Sequence, residues 1–241
     1  MSVPVMIISG YLVMAVIMAL LWHRQRKRKN AGIVDVAWSL GVGALAVYFA
    51  LGADGYGPRR YLIGLMAGIW SLRLAGYLWR RLTSDEMEDG RYRELRDKWG
   101  EKTDFYLFFF FQIQAFWSVL FALPMLIAAH NRTPGLGLTD ALGVLVWFIA
   151  MMGEGIADNQ LARFRRRPEN RGEVCRYGLW RYSRHPNYFF EWIHWWAYVL
   201  IGMQAPWGWL TLIGPVLMFI FLHKITGIPP TERHALASRG E

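Results

Sequence analysis

The 241-residue chain is 54% hydrophobic and 19% charged, and its formal net charge at pH 7 is +9. That charge could suit a soluble nucleic-acid-binding protein, but apolar runs near 20 residues, the length that spans a bilayer, recur along the chain. The runs argue against a soluble protein and against nucleic acid as a partner. Cys175 is the only cysteine, so an internal disulfide and a cysteine metal cluster are excluded.

The spacing of the apolar runs predicts an all-α, polytopic membrane bundle that forms one integral-membrane domain over residues 1–241. Most Lys and Arg residues follow the first, third and fifth runs or lie in the C-terminal tail. By the positive-inside rule, the N-terminus is external and the C-terminus cytoplasmic. The basic run 23–29 follows the first span and none precedes it, which favours a retained helix over a cleaved signal peptide. We predict seven spans, at residues 3–22, 33–52, 60–79, 105–129, 138–158, 187–204 and 208–226.

Charged residues occur inside the second and third spans. Asp35 lies about a turn inside the second span, and Arg73 lies seven residues before Arg80, or roughly 10 Å below the surface. Ionisable groups at that depth are costly unless they are paired or face a cavity. We therefore predict an ion pair between Asp35 and Arg73, which either joins two helices or belongs to a site.

Small and polar residues in the second to fourth spans predict contacts between helices. The run GVGALA, residues 41–46, fits G-x-G-x-x-A, but no βαβ unit surrounds it, so it predicts close helix packing instead of a dinucleotide site. Gln112 and Gln114 in the fourth span carry amides that normally bond across helices or line a cavity. The mixed-charge connector 80–103 is predicted to be partly helical, as a solvated linker or a ligand contact, and to bring to the cytoplasmic surface Arg91, Tyr92, Arg93 and Arg96.

The end of the fifth span is acidic and then strongly basic. Glu154, Asp158 and Arg165 are four and seven residues apart, which places them on one helix face. Arginines follow at positions 163, 165, 166, 167 and 171. The pattern predicts buried carboxylates close to a basic membrane surface.

Residues 178–198, GLWRYSRHPNYFFEWIHWWAY, turn from a basic loop into an aromatic helix. Helical spacing gathers on one side Asn187, Tyr188, Glu191, His194, Trp195 and Tyr198. The charged and polar residues within the spans fall in the cytoplasmic halves of their helices, which predicts one polar cavity, open to the cytoplasm and rimmed by arginines. The residues concerned are Asp35, Arg73, Glu154, Asp158, Glu191 and His194.

This side-chain chemistry suits a phosphorylated nucleotide cofactor and a hydrophobic, lipid-like substrate that enters from the bilayer. Arginines match phosphate, and aromatic side chains such as Trp180, Tyr182 and Tyr188 can hold a planar ring. Glu191 and His194 form one E-x-x-H pair, which is half of a di-iron site. Because no second pair occurs, we predict no metal.

The motif GLWRYSRHPNYFFEW resembles the C-terminal signature of the steroid 5-alpha-reductase family, particularly its bacterial branch of uncharacterised proteins. Its RHPNY core also resembles sterol reductases and the isoprenylcysteine and phospholipid methyltransferases. Further segments fit the reductase branch, and the resemblance covers roughly residues 30–235. These segments are VDVAWSLG, WSLRLAGYL, EDGRYRELRDKWG, FFQIQAFW, ADNQLARF and TGIPPTE.

The resemblance implies a seven-helix bundle in which NADPH occupies a cytoplasm-facing pocket. Hydride then passes to a conjugated carbon–carbon double bond of a steroid-, sterol- or isoprenoid-like substrate. Asp158 and Arg165 keep the family's Asp-x6-Arg spacing, and Asn187 and Glu191 keep its Asn-x3-Glu. The cofactor-binding residues that the resemblance implies are Asp158, Arg165, Arg184, His185, Asn187 and Tyr188, to which we add the aromatic Tyr182. The candidate catalytic residues are Glu191 of the matched motif and Asp35, Arg73 and Tyr77, which lie in the region comparable to the family's catalytic one. The bacterial branch implies a bacterial inner (plasma) membrane.

The chain departs from the family pattern at three places. The Gln-Glu pair and tyrosine that polarise the steroid ketone have no match, and the comparable region holds Asp35, Trp38, Arg73 and Tyr77. Phe190 stands where glycine usually precedes the glutamate, which would narrow the pocket. The sequence also ends at Glu241, before the tyrosine- and Pro-Trp-bearing tail of many members. Two alternatives stay open: an S-adenosylmethionine-dependent lipid or isoprenylcysteine methyltransferase, and a non-enzymatic subunit of a larger membrane complex.

Overall fold

The computed structural model describes residues 1–84, 88–170 and 172–239, with the side chains of residues 84 and 234–239 left out. Arg171 and Glu241 therefore lie outside the described residues. Within those ranges all regular structure is helical and no strand occurs. The helices are α1 (Val3–Arg28), α2 (Ile33–Gly52), α3 (Gly57–Ser84), α4 (Gly90–Trp99), α5 (Thr103–Ala129), α6 (Leu138–Arg165), α7 (Pro186–Gly202), α8 (Ile213–Ile220) and α9 (Ile228–Arg239).

Six helical segments among the described residues are long and apolar enough to cross a membrane, which is consistent with an integral membrane protein. They are Val3–Arg28, Ile33–Gly52, Gly57–Thr83, Gly90–Ala129, Leu138–Arg165 and Gly208–Arg233. The predicted span 187–204 corresponds to α7, whose 17 residues extend about 26 Å at 1.5 Å per residue. The count of seven spans and the orientation stay predictions.

Several helices continue beyond their predicted spans. α2 begins and ends where the hydropathy pattern predicts, whereas α1, α3 and α6 extend several residues further into basic sequence. Hydropathy detects only the apolar part of a helix, and backbone hydrogen bonding carries the helix on through Lys and Arg, which are good helix formers. Basic residues therefore occupy the last turns of α1 and α6, where their positive charges interact favourably with the negative end of the helix dipole.

The Cα packing divides the chain into two compact units, and the predicted single domain stays a prediction. The first unit comprises Met1–Gly135 and Gln204–Gly208, and the second comprises Leu136–Met203 and Trp209–Glu241. In the first unit, α1, α2 and α5 enclose a methionine- and phenylalanine-rich core, and α3 packs along α2. In the second unit, α6 and α7 pack against each other along most of their length.

Two of the predicted helix–helix contacts are confirmed in the first unit. A β-carbon on Gly43 would overlap the Ser71 side chain of α3, so this glycine of the GVGALA run permits close packing. The Ser71 hydroxyl donates a hydrogen bond to the Ser39 carbonyl over 2.8 Å. Gln112 Nε2 donates to the Ala15 carbonyl of α1 at 3.3 Å, so this amide does bond across helices.

Candidate functional site

The predicted cofactor residues of the second unit centre on the antiparallel pair α6 and α7. A β-carbon on Gly143 would lie 2.6 Å from Ile201 Cγ1, at one end of the pair. At the other end, Asn187 Nδ2 donates to Asp158 Oδ1 at 3.2 Å. Because the helices are antiparallel, the end of α6 packs against the start of α7. The contact therefore brings together two motifs whose bonded residues are 29 positions apart in sequence. We call the polar residues that lie buried or partly buried along this pair the α6–α7 polar cluster: Glu154, Asp158, Asn187, Glu191, His194 and Tyr198.

One helical turn further into the pair, each helix carries a buried glutamate. Glu154 comes four residues before Asp158 on α6, and Glu191 comes four residues after Asn187 on α7. Because the helices are antiparallel, the two glutamates lie at the same level of the pair. Glu191 Oε1 accepts a hydrogen bond from Trp195 Nε1 at 3.2 Å. Among the described residues, no three His, Cys, Asp or Glu side chains are grouped so as to hold a metal ion.

Aromatic rings surround the inner end of the cluster. The buried His194 ring lies 5.4 Å from the Trp195 ring and 5.2 Å from the Tyr198 ring, measured between centroids. The Tyr198 side chain is fully buried, and its hydroxyl has no hydrogen-bond partner among the described residues. A buried hydroxyl normally finds a partner, so this phenol is an open donor at the end of the polar face.

The loop before α7 is fixed to α6 by a glutamine. Gln160 Oε1 accepts the Leu179 backbone N–H at 2.9 Å, and Trp180 Nε1 donates to the Ala157 carbonyl at 2.9 Å. Gly178 has a positive φ of 60°, and a β-carbon there would overlap Gln160. Glycine is thus required where the GLW segment turns against α6.

The N-terminus of α7 carries the groups that attract an anion. Pro186 occupies the first helical turn, where its missing N–H costs nothing, and exposed Arg184 lies two residues ahead. The free N–H groups of a helix N-terminus and the dipole favour a negative ligand there. Arg184 Nη1 lies 3.4 Å from Glu232 Oε1 of α9, an exposed pair that leaves the arginine within reach of a ligand.

His185 and Tyr188 form a stacked pair at this helix start. Their ring centroids lie 5.3 Å apart with an interplanar angle of 8°, and the Tyr188 hydroxyl lies 3.2 Å from Thr231 Oγ1. Burial lowers the pKa of His185; Glu232 opposes the shift, whereas Arg184 adds to it. The imidazole is therefore neutral at pH 7 and available as a hydrogen-bond donor and acceptor.

Two of the predicted cofactor residues lie on the surface. Arg165 is exposed in the last turn of α6, and its side chain has no hydrogen-bond or ion-pair partner among the described residues. Tyr182 is 85% exposed after the short 3-10 turn Gly178–Arg181. Neither side chain is held in place by the fold, whereas Asp158 and Asn187 are.

Phe190 fills a notch in α6 that glycine creates. A β-carbon on Gly153 would overlap the Phe190 ring, so the ring lies directly against the α6 backbone. The bulky Phe190 ring is therefore accommodated by a glycine on the facing helix. Whether Phe190 narrows a cofactor pocket stays a prediction.

In the first unit, Asp35 belongs to a hydrogen-bonded network at the start of α4. Arg91 Nη2 lies 3.0 Å from Asp35 Oδ2, and the Tyr92 hydroxyl donates to Asp35 Oδ1 at 2.8 Å. The sequence analysis places Tyr92 on the surface, and that is wrong: it is 3% exposed, because its ring faces the core and its hydroxyl reaches Asp35. We call Asp35, Asp89, Arg91 and Tyr92 the Asp35 network.

A small cleft with a cavity volume of about 30 Å³ opens beside the Asp35 network, between the start of α2 and the end of α3. Arg81 Nη2 lies 2.7 Å from Asp89 Oδ2 at its edge. Burial alone raises the pKa of Asp89, but the hydrogen bond from Arg91 and the positive charges of Arg91 and Arg81 outweigh it, so the pKa lies below its usual value. The residues that line the cleft include Asn30, Asp35, Leu78, Arg81, Leu82 and Arg91.

Arg73 and Tyr77 lie one turn apart on α3, and both side chains are half-buried. The predicted ion pair between Asp35 and Arg73 stays a prediction, since the contacts established for Asp35 are those with Arg91 and Tyr92. The α4 connector is predicted as a linker or a ligand contact, and its role as the partner of Asp35 is not predicted. The sequence signal for that role is a helix-forming segment that carries paired charges and has a tyrosine four residues before Arg96.

Comparison with known proteins gives a family and one relative of unknown role. The family described as "Protein of unknown function (DUF1295)" matches residues 21–241. The "Uncharacterized protein C594.04c" of Schizosaccharomyces pombe is 25% identical over 242 residues, covering 86% of this chain and 70% of the relative. No solved structure matches the chain.

Proposed function

The chain belongs to the DUF1295 family, whose function is unknown, and from the chemistry of its site we propose that it is a reductase. The enzyme we propose is embedded in the membrane and depends on NADPH. It transfers hydride to a conjugated carbon–carbon double bond of a hydrophobic, steroid-, sterol- or isoprenoid-like substrate. The resemblance to the steroid 5-alpha-reductase family supplies the reaction class. The geometry of the α6–α7 polar cluster supplies the support from this chain.

The observation that carries the proposal is the hydrogen bond from Asn187 to Asp158. It joins the Asp-x6-Arg motif of α6 to the Asn-x3-Glu motif of α7, the two motifs that the resemblance assigns to the cofactor. Exposed Arg165 and Arg184 lie near the same end of the pair, on α6 and just before α7. A structural helix pair needs neither this polar joint nor two exposed cations beside it.

Asn187 has an atom that suits the nicotinamide group. Its Nδ2 is used by Asp158, whereas its Oδ1 is buried and has no hydrogen-bond partner among the described residues. An amide oxygen of this kind accepts a hydrogen bond from a carboxamide N–H. The carboxamide of nicotinamide provides that donor, so the residues present fit the cofactor.

In this proposal NADPH supplies the hydride, and the chain supplies binding and orientation. Asn187, positioned by Asp158, holds the nicotinamide amide, while Arg165 and Arg184 bind phosphate through the planar forks of their guanidinium groups. The α7 N-terminus adds backbone N–H groups to the same anion, and the His185–Tyr188 stack with Tyr182 offers aromatic faces. Glu191, buried one turn below Asn187, is held by Trp195.

Reduction of an enone also needs a donor for the developing enolate oxygen and a proton for the neighbouring carbon. Arg73 and Tyr77 are donors of suitable type, and Asp35, held by Arg91 and Tyr92, provides a carboxylate. We assign these three residues the catalytic roles that the sequence predicts. The proposal includes seven spans, with the N-terminus outside and the cofactor end of α6 and α7 in the cytoplasm.

The test is a cofactor titration of the detergent-purified protein. NADPH, NADH and S-adenosylmethionine are titrated by tryptophan quenching on the wild type, Asn187→Ala and Arg165→Ala. Asn159→Ala, on an exposed neighbour of Asp158, is the matched control. We expect saturable NADPH binding that both site variants weaken about tenfold, as for loss of one hydrogen bond to the cofactor, with no change in the control.

Other outcomes reassign the protein. Binding of S-adenosylmethionine without NADPH would move it to the methyltransferases that share the RHPNY element. Absence of binding by all three cofactors would refute the reductase proposal and leave the non-enzymatic subunit as the leading hypothesis.

A further inference from the structure

A basic pocket in the first unit is lined by none of the residues that the reductase proposal uses. It is a concave site of about 360 Å³ between the end of α1 and the start of α5. We define the basic pocket by its lining residues, His23, Arg26, Lys27, Lys29 and Asp104. Three permanent cations thus surround one carboxylate, which leaves the pocket with an excess of positive charge.

One of these cations is fixed, and the others are available. Arg26 Nε lies 3.0 Å from Asp104 Oδ2, and its guanidinium lies 5.1 Å from the centre of the Trp22 ring. The side chains of Lys27 and Lys29 have no hydrogen-bond or ion-pair partner among the described residues. Asp104 therefore neutralises Arg26, and two ammonium groups remain for a ligand.

The pocket lies where α1 changes from lipid-facing to basic sequence. Apolar side chains are exposed along α1 as far as Leu20, and the basic run begins at His23, one turn later. Trp22 marks the boundary: its Nε1 donates to the Asp104 carbonyl at 2.8 Å, and its ring packs edge-on against Phe108 at 5.1 Å. Tryptophan at such a boundary is typical of the headgroup level of a bilayer.

We propose that the basic pocket binds the phosphodiester headgroup of an anionic glycerophospholipid. A phosphodiester carries one negative charge, and ammonium groups at the membrane surface attract it. The acyl chains of such a lipid would lie along the exposed apolar face of α1, and its glycerol beside Trp22. The same phosphate chemistry occurs in free phosphate, which lacks the chains that α1 would cover.

The test measures lipid binding by the full chain in detergent micelles. Native mass spectrometry records bound dioleoylphosphatidylglycerol and dioleoylphosphatidylcholine for the wild type, for Lys27→Gln with Lys29→Gln, and for Arg24→Gln with Arg28→Gln. The second double variant removes the same charge from the same basic run, but at exposed positions outside the pocket lining. Both pairs are on the surface, so neither is needed for folding.

We expect phosphatidylglycerol to bind at least about tenfold more tightly than phosphatidylcholine, and the Lys27/Lys29 variant to lose that preference. The Arg24/Arg28 variant should keep it within about twofold. Equal losses in the two variants would mean diffuse attraction to the basic run and would overturn the proposal, as would a wild type without preference. Displacement of the lipid by inorganic phosphate at an equal concentration would assign the pocket to free phosphate instead.

Discussion

Asn187 donates from Nδ2 to Asp158 Oδ1 over 3.2 Å, and this contact joins the first turn of α7 to the late part of α6. Asp158 is buried and Asn187 is partly buried, so the contact is largely shielded from water. The contact is at once a structural joint of the second unit and the centre of the proposed cofactor site. Stability and cofactor binding should therefore respond together when it is broken.

A double-mutant cycle on Asp158→Ala and Asn187→Ala measures the joint. We expect a coupling free energy of about 1.5 kcal/mol, since a hydrogen bond to a charged group contributes about 1.5–3 kcal/mol. Reversible detergent unfolding of the four proteins gives the value. The control cycle pairs Asn187→Ala with Asn159→Ala and should be additive; coupling near zero in the Asp158 cycle would contradict the role of the contact.

Gly153 and Gly155 of α6 differ in what surrounds them. Gly153→Ala should lower the free energy of unfolding by about 1–3 kcal/mol, because its methyl group meets the Phe190 ring and over-packs the interface. Gly155→Ala meets no atom within 4 Å and should raise stability by about 0.5–1 kcal/mol through helix propensity. Thermal unfolding of both variants in one detergent checks the contrast. Similar values for the two would show that α7 does not press against Gly153.

Arg96 of α4 forms a fork that lysine cannot reproduce. Its Nε lies 2.7 Å from Glu88 Oε2, and its Nη2 lies 3.1 Å from Glu88 Oε1 and 2.9 Å from Gln25 Oε1. Arg96→Lys should cost about 1–3 kcal/mol of stability, because one ammonium replaces three directed hydrogen bonds in a mostly buried place. Unfolding measurements check this value against Arg24→Lys, an exposed control that should change stability by less than about 0.5 kcal/mol.

Asp89 should make the stability of the first unit depend on acid pH. Its pKa is lower in the folded protein than its ordinary 3.8, so it binds fewer protons when folded. The stabilisation that ionised Asp89 contributes is complete above the pKa of this residue in the unfolded chain. It is lost as the pH falls from about 4 through the lower pKa of Asp89 in the folded protein. Asp89→Asn should therefore flatten the decline of Tm below pH 4, measured between pH 7 and 3. Asp97→Asn, on the exposed face of α4, should follow the wild-type profile; an unchanged Asp89→Asn profile would contradict the assignment.

Local sequence was sufficient for the helices and for part of the site. Runs of apolar residues identify the membrane helices because hydropathy is a property of each segment alone. Helical spacing likewise identifies the polar face of α7, and the Asp-x6-Arg and Asn-x3-Glu motifs single out the pair that the fold joins. Burial of Glu154, Asp158, Glu191 and His194 follows the same periodicity.

Partner choice was decided by tertiary structure, because it depends on which helices pack and in what register. The sequence predicts an ion pair between Asp35 and Arg73, but it does not predict that Asp35 also bonds Arg91 and the buried Tyr92 of α4. No periodicity shows that Gly153 receives the ring of Phe190, or that Asp104 neutralises Arg26 and leaves Lys27 and Lys29 free. Whether the charged residues of both units line one cavity stays a prediction. The sequence by itself determined which side chains become buried. Only the packing of α6 on α7, α4 on α5 and α1 on α5 decided which atoms those side chains contact.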